Sequence, residues 1–266
     1  MKILIVGCGN MGGAMLAGWL AGGLAAGDFT VVDPLLAGAP EGVALLRELP
    51  AADAKFDVVL LGVKPQQLGD AAAGLVPLVG QGTVLLSILA GVDLATLRRR
   101  FPESGAIVRV MANLAAALGK SPVALAGDAS AAQRTMIEGL MAPLGQAEWL
   151  LDEALMDLMT ALVGSGPAFV YRVIDSFAAA AETLGLPREQ ADRLALTMIE
   201  GAVALAARSS ASPGELAQRV ASPGGTTQKG LDVLDTNLAH KRLIEAALRA
   251  ARDRGSEMAA EARAAE

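Results

Sequence analysis

The chain opens with a short apolar run, Ile3-Leu4-Ile5-Val6, that passes directly into Gly7-Cys8-Gly9-Asn10-Met11-Gly12. This G-x-G-x-x-G segment constrains the fold more than any other, because each glycine has its own backbone task. The first permits a tight turn after a strand, and the second lets a pyrophosphate approach the main chain. The third lets the following helix pack closely on the strand. A helix that starts there presents free N–H groups and a partial positive charge to phosphates. The segment therefore predicts a strand–turn–helix that binds a dinucleotide through Gly7, Gly9, Asn10, Met11 and Gly12. The competing reading is a glycine-rich turn with no ligand. The position after ILIV, ahead of a second strand ending in Val31-Val32-Asp33, favours the dinucleotide.

Apolar runs at 3–6, 29–32, 57–61, 83–88 and 106–110 alternate with helical stretches, including helices at 11–21 and 130–141. The runs are continuous rather than alternating, as in strands buried on both faces. Further strands at 123–125 and 147–150 extend one edge. Strands alternating with helices predict an α/β fold with a doubly wound parallel sheet of Rossmann type. After about residue 152 the pattern turns helical, at 152–162, 167–184, 188–208, 213–220, 226–235 and 239–262. Ser165 before Gly166-Pro167 marks a helix start, and Gly185 followed by Pro187 marks an end and a restart. The division expected is a dinucleotide-binding domain over 1–152 and an all-helical domain over 153–266. Stretches such as 177–181 and 194–207 are apolar on more than one face. Few neighbours exist within the chain to bury them, which predicts a homodimer.

The formal net charge is −6, and the one basic run, Arg98-Arg99-Arg100, reads as the last turn of a helix facing water. Neither points to nucleic acid. The apolar stretch 154–171 is interrupted by Asp157, Gly164, Gly166 and Pro167, short of the ~20 uninterrupted residues of a membrane span. Cys8, the single cysteine, excludes an intrachain disulfide, fits a cytoplasmic setting and reads as a small residue filling a tight turn. No His/Cys/carboxylate set has metal-ligand spacing. The single His240 sits beside Lys241 and Arg242 as a surface residue, and the single Tyr171 reads as a packed helical residue.

Asp33 ends the second strand, where a carboxylate accepts hydrogen bonds from ribose hydroxyls and repels a 2′-phosphate. That leans the cofactor towards NADH over NADPH, against the reading of Asp33 as a turn starter before Pro34. Val63-Lys64-Pro65 follows the third apolar run, on the crevice rim at the strand ends, and Ser87–Gly91 lies on the same rim. No general base stands out, so the chemistry expected is hydride transfer to a carbon that is already cationic, with the protein positioning the reactants. Late in the chain Ser222-Pro223-Gly224-Gly225-Thr226-Thr227 precedes a helix. Its local chemistry allows either an elaborate N-cap or a donor-lined anion site.

Taken together, GCGNMG, VKPQ, Arg109-Val110-Met111-x-Asn113, Gly164-Ser165-Gly166-Pro167-Ala168-Phe169 and SPGGTT resemble the pyrroline-5-carboxylate reductase family, in order over essentially the whole chain. The resemblance implies reduction of the cyclic imine 1-pyrroline-5-carboxylate to L-proline with NADH or NADPH, by a dimer that often assembles into larger rings. It assigns the substrate carboxylate to Ser222, Gly224, Gly225, Thr226 and Thr227, with Thr227 also reaching the ring nitrogen. It places Asn113 near the nicotinamide and requires the nicotinamide to approach the SPGGTT loop of either subunit. Where the family commonly reads RVMPNTP, this chain reads Arg109-Val110-Met111-Ala112-Asn113-Leu114-Ala115. That departure keeps two alternatives open: a reductase of a related cyclic imine or keto acid, and a dinucleotide-binding protein without turnover.

Overall fold

The computed structural model describes residues 1–264, with side chains up to residue 260. Eight strands form a single sheet: β1 (Ile3–Val6), β2 (Phe29–Val32), β3 (Ala44–Leu46), β4 (Val58–Leu61), β5 (Val84–Ser87), β6 (Ala106–Met111), β7 (Ser121–Gly127) and β8 (Gly145–Trp149). Their order is β3-β2-β1-β4-β5-β6-β7-β8, which reverses direction between β1 and β4. The strands run parallel except that β7 is antiparallel to β6, with Val110 opposite Leu125. The sheet is therefore mixed at the edge that the sequence had simply extended.

Helices α1 (Asn10–Ala21), α2 (Leu68–Leu75), α3 (Leu94–Arg100) and α4 (Ala131–Met141) cover both faces. On one face Ile3, Ile5, Leu60 and Val108 pack with Met15, Leu16 and Trp19 of α1 and Leu140 of α4. On the other Leu4, Val6, Leu61 and Ile107 pack with Leu68 and Leu75 of α2 and Leu97 of α3. Adjacent residues of one strand thus enter opposite cores, which is why the strands read as unbroken apolar runs. Trp19 stacks on Phe29 at 5.6 Å and donates its indole N–H to the Leu140 carbonyl at 2.7 Å. A buried aromatic is in this way given both a packing partner and a polar one.

The strand absent from the sequence reading is β3. It has three residues and pairs in parallel with β2, Val32 opposite Leu46. A segment so short carries no measurable period, and only its neighbour strand makes it extended.

The helix expected at 152–162 is a composite. A 3-10 turn at Glu153–Leu155 leads to α5 (Met156–Met159) and then a π turn over Thr160–Ser165. The helices that follow are α6 (Gly166–Thr183), α7 (Arg188–Arg208), α8 (Pro213–Val220), α9 (Thr226–Asp235) and α10 (Ala239–Ala264). Within the helical run Glu153–Thr183 an 18-residue stretch has a mean hydropathy of 1.3, which by length and composition alone meets the measure of a membrane span. Asp157, Gly164, Gly166 and Pro167 interrupt its apolar sequence without ending the helical run. Pro167 lies in the first turn of α6 and Gly164 within the π turn, and the Val163 carbonyl, four residues before the proline, accepts from the Asn113 side chain.

Packing divides the chain into two compact units, Met1–Gly164 with the stretch from Ala250, and Ser165–Arg249. The boundary expected from the sequence lies at 152/153, and residues 265 and 266 of that second domain lie outside the described residues. The end of α10 joins the first unit because Ala259 is buried against Gly91 and Ser256 Oγ donates to Asp157 Oδ2 at 2.7 Å. In the second unit the buried cluster is small, Ala178, Ala191 and Ala195 backed by Ile174 and Ala181. Val203, Leu205, Val220, Val233 and Leu243 stand exposed, and so does Tyr171 at 68%, contrary to its reading as packed. Apolar exposure on this scale marks an interaction face.

Gly18 tests how tightly α1 is seated. A Cβ there would stand 2.1 Å from the Ala116 carbonyl oxygen, whereas a Cβ on Gly139 in α4 would meet nothing within 4 Å. Glycine in a helix interior ordinarily costs roughly 0.5–1 kcal/mol relative to alanine. Gly139→Ala is expected to gain about that much in urea unfolding, and Gly18→Ala to lose about 1–3 kcal/mol through backbone displacement. A stabilised Gly18→Ala would refute the seating.

Candidate functional site

The three glycines of the first loop behave as three different objects. Gly7 has φ +84°, and a Cβ on it would lie 2.7 Å from the Val63 amide nitrogen. A Cβ on Gly62 would come within 2.4 Å of the Gly7 carbonyl oxygen, so the loops after β1 and β4 touch backbone to backbone. Gly9 is exposed, and a Cβ there would meet nothing within 4 Å. Gly12 is buried, its would-be Cβ 3.0 Å from the Gly7 carbonyl. Helix α1 starts at Asn10 after Gly9 with no side-chain cap, which leaves its first-turn amides facing outward. Turn, open approach and close packing are the features a pyrophosphate-binding loop needs, so the residues present fit a dinucleotide.

A cavity of about 650 Å³ opens at this point of strand-order reversal. Gly7, Gly9, Asp33, Val63 and Lys64 line it; Asn10, Met11, Gly12 and Pro65 do not, the first three belonging to α1 and Pro65 to a 3-10 turn at Pro65–Gln67. Asp33 is held by three backbone donors. Its Oδ2 accepts from the Cys8 N–H at 2.9 Å, and its Oδ1 from the N–H groups of Leu35 and Leu36 at 2.9 and 3.1 Å. The carboxylate therefore ties the glycine loop to the turn after β2. Burial, and then the Asp33 charge, push the Cys8 thiol up from its ordinary value, so it stays protonated at neutral pH and acts as a filler.

Arg47, absent from the sequence reading, also lines the cavity. Its Nη1 donates to the carbonyls of Asp33 and Leu36 at 2.9 and 2.6 Å. The signal that finds it is the crevice rule itself, since Arg47 directly follows β3, a strand that went unrecognised.

Asn113 lies elsewhere. Its Nδ2 donates to the Val163 carbonyl inside the π turn at 3.0 Å, and its Oδ1 accepts from the Ala115 N–H at 2.9 Å. The amide caps the 3-10 turn Leu114–Leu118 and serves a carbonyl of the π turn. Close by, Arg109 is 7% exposed and its Nη1 meets Glu153 Oε1 at 2.7 Å. The same oxygen accepts from the Leu94 N–H at 2.8 Å. This ion pair, buried on the arginine side only, joins β6, the start of α3 and the turn at Glu153–Leu155, and the sequence carries no signal for Glu153 or its role.

The Ser222–Thr227 segment lies in the second unit. Helix α9 begins after Gly225 with no side-chain cap, so neither Thr226 nor Thr227 caps it. The Gly225 N–H closes a turn on the Ser222 carbonyl at 2.9 Å, and Gly224 has φ +72° with open space where a Cβ would stand. Ser222, Gly224 and Thr226 are exposed, while Gly225 and Thr227 are half-buried. His240 is exposed, as expected of a surface residue.

Comparison with known proteins gives these features a family. Residues 153–258 match the family model described as pyrroline-5-carboxylate reductase dimerisation, and residues 2–91 match one described as NADP oxidoreductase, coenzyme F420-dependent. The chain is 35% identical over 268 residues to the pyrroline-5-carboxylate reductase of Pseudomonas aeruginosa, covering 97% of each chain. It is 36% identical over 245 residues to that of Aquifex aeolicus, covering 88% of this chain and 89% of the other. Among solved structures it resembles a pyrroline-5-carboxylate reductase from Coxiella burnetii, with TM-score 0.88, 28% identity and coverage of 96% and 97%. An NADP-bound Plasmodium falciparum pyrroline carboxylate reductase shares the fold at TM-score 0.80 and 24% identity, over 97% and 98% of the two chains. With a nucleotide loop at β1, a helical region matched to a dimerisation domain and relatives aligned nearly end to end, this chain belongs to the pyrroline-5-carboxylate reductase family.

Proposed function

We propose that the chain reduces 1-pyrroline-5-carboxylate to L-proline, with the dinucleotide on the glycine loop and the substrate carboxylate on the Ser222–Thr227 segment. The observation that carries the substrate assignment is the start of α9. No side chain caps it, Gly224 leaves open space beside it, and Ser222, Thr226 and Thr227 supply hydroxyls around it. Unclaimed amides at a helix N-terminus hold a carboxylate by hydrogen bonds and by the helix dipole. Thr227 Oγ1 hydrogen-bonds the ring nitrogen and fixes the imine carbon for attack, which is the catalytic role assigned to it. The bound nicotinamide supplies the hydride. A protonated cyclic imine is already electrophilic, so the protein needs to orient it and requires no strong base.

Gly7, Gly9, Asn10, Met11 and Gly12 hold the pyrophosphate, and Val63, Lys64 and Pro65 border the cofactor from the loop after β4. Asn113 acts from the nicotinamide side by holding its own loop against the π turn. Asp33 faces the adenosine ribose and makes NADH at least as good a donor as NADPH. The exposed apolar residues of α6–α10 are covered by a second copy, and such dimers assemble further into a ring. The setting is cytoplasmic. The Ala112-Asn113-Leu114 departure favours a second reading, a related cyclic imine as substrate, because the loop lacks the prolines that stiffen it in the family.

Spectrophotometric assay with 1-pyrroline-5-carboxylate should show substrate-dependent NAD(P)H oxidation, faster than with the six-membered cyclic imine or a keto acid. A reversed order would transfer the assignment to the second reading, and no turnover on the whole panel would leave a binding protein. Thr227→Ala should lower kcat/KM by about tenfold or more, the loss of one transition-state hydrogen bond, whereas Thr227→Ser should retain most activity. For the cofactor, kcat/KM with NADH should equal or exceed that with NADPH; a preference for NADPH of about tenfold, near 1.4 kcal/mol, would overturn the Asp33 argument. Sedimentation should show a dimer or larger, and a monomer would count against the apolar face as an interface.

A further inference from the structure

We infer that Arg47 sets how this site reads the adenosine ribose, its guanidinium receiving the 2′-phosphate of NADPH that Asp33 alone would repel. The inference rests on the dinucleotide reading of the cavity and concerns a residue outside the glycine motif. The parallel register puts Val32 opposite Leu46, so Asp33 and Arg47 are the next residues of neighbouring strands at their C-terminal ends. The Asp33 N–H donates to the Leu46 carbonyl at 3.1 Å, which carries the pairing to the rim of the cavity.

The Arg47 side chain is anchored through one nitrogen. Nη1 spans the carbonyls of Asp33 and Leu36 and so braces the turn that borders the ribose end of the cavity. A guanidinium has five N–H donors in a rigid fork, and here its Nε and Nη2 make no hydrogen bond or ion pair among the described residues. The Asp33 carboxylate makes no ion pair with it; both carboxylate oxygens accept from backbone N–H groups. The charged residues lining the cavity are Asp33, Glu48 and Asp70 against Arg47 and Lys64, and Lys64 belongs to the loop after β4. Arg47 is thus the cation bonded to the turn after β2. A pre-oriented fork with free donors matches a phosphate bidentately. The same rim then carries a carboxylate suited to a free ribose and a guanidinium suited to a phosphorylated one, so one site accepts both cofactors.

Calorimetric titration with 2′,5′-ADP and with 5′-AMP separates this role from simple bracing of the turn, and needs no imine substrate. In Arg47→Ala the affinity for 2′,5′-ADP should fall about tenfold further than that for 5′-AMP, the scale of one lost charge-assisted contact beyond any loss of bracing. Arg47→Lys, which keeps the charge without the fork, should recover part of the loss. Steady-state kinetics should follow, with KM rising more for NADPH than for NADH. Equal losses for both nucleotides would reduce Arg47 to a structural brace and overturn the inference, as would no loss for either. Wild-type chain that binds neither nucleotide would overturn the cofactor reading as well. Intact nucleotide selectivity without imine reduction would sink the substrate assignment and leave this inference standing.

Discussion

The contact on which the site depends is between main chains. Gly7 and Gly62, at the ends of β1 and β4, approach so closely that a Cβ on either would fall within 2.8 Å of the other loop's backbone. These two strands are where the sheet order reverses, and the approach fixes where their loops diverge to make the cavity. From there the rim is stitched outward. The Asp33 carboxylate reaches back to the Cys8 N–H, and Arg47 reaches across to the turn that follows Asp33. Ends of four adjacent strands are joined through hydrogen bonds to backbone groups. The cavity is therefore shaped largely before any ligand contributes, which lowers the ordering cost of binding.

A second set of ties holds the far side of the first unit. Arg109 and Glu153 form a pair in which the arginine is nearly buried, and the Leu94 N–H shares the glutamate oxygen. Removing the glutamate would leave the Arg109 charge buried and uncompensated, a loss of about 3–5 kcal/mol where both partners are fully buried. Asn113 serves the π turn in a comparable way, since a π turn disturbs the regular i→i−4 pattern and Val163 offers its carbonyl to a side chain. The returning end of α10 packs beside these groups, with Ala259 against Gly91. A residue late in the chain thus limits what the loop after β5 can do.

The second unit has a different balance. Its buried cluster is built of alanines, while larger apolar side chains of the same helices stand in solvent. Alanine permits close helix–helix approach but buries little area per residue, so such a unit leaves much of its apolar surface for a partner to cover. The match of residues 153–258 to a dimerisation domain agrees with that balance. In this setting the apolar run Glu153–Thr183 is composition suited to an interface rather than a membrane argument in itself.

The sequence by itself determined the features with a local signature. The glycine loop was legible because turn, approach and packing each demand a missing side chain at a fixed spacing. The central strands were legible because burial on both faces leaves no polar position in them. The start of α9 was legible as an oversupply of donors, although only the absence of any side-chain cap removed the rival reading of Thr226 and Thr227. Tertiary structure decided what depends on a distant partner. β3 is a strand only because β2 lies beside it, and Arg47 reaches the cavity only because β3 is a strand. Arg109 finds Glu153 across 44 positions and Asn113 finds Val163 across 50, separations at which no periodicity survives. Short-range patterns fix elements because helix and strand repeat every few residues; pairings between elements follow from the packed sheet, and that exists only once the chain has folded.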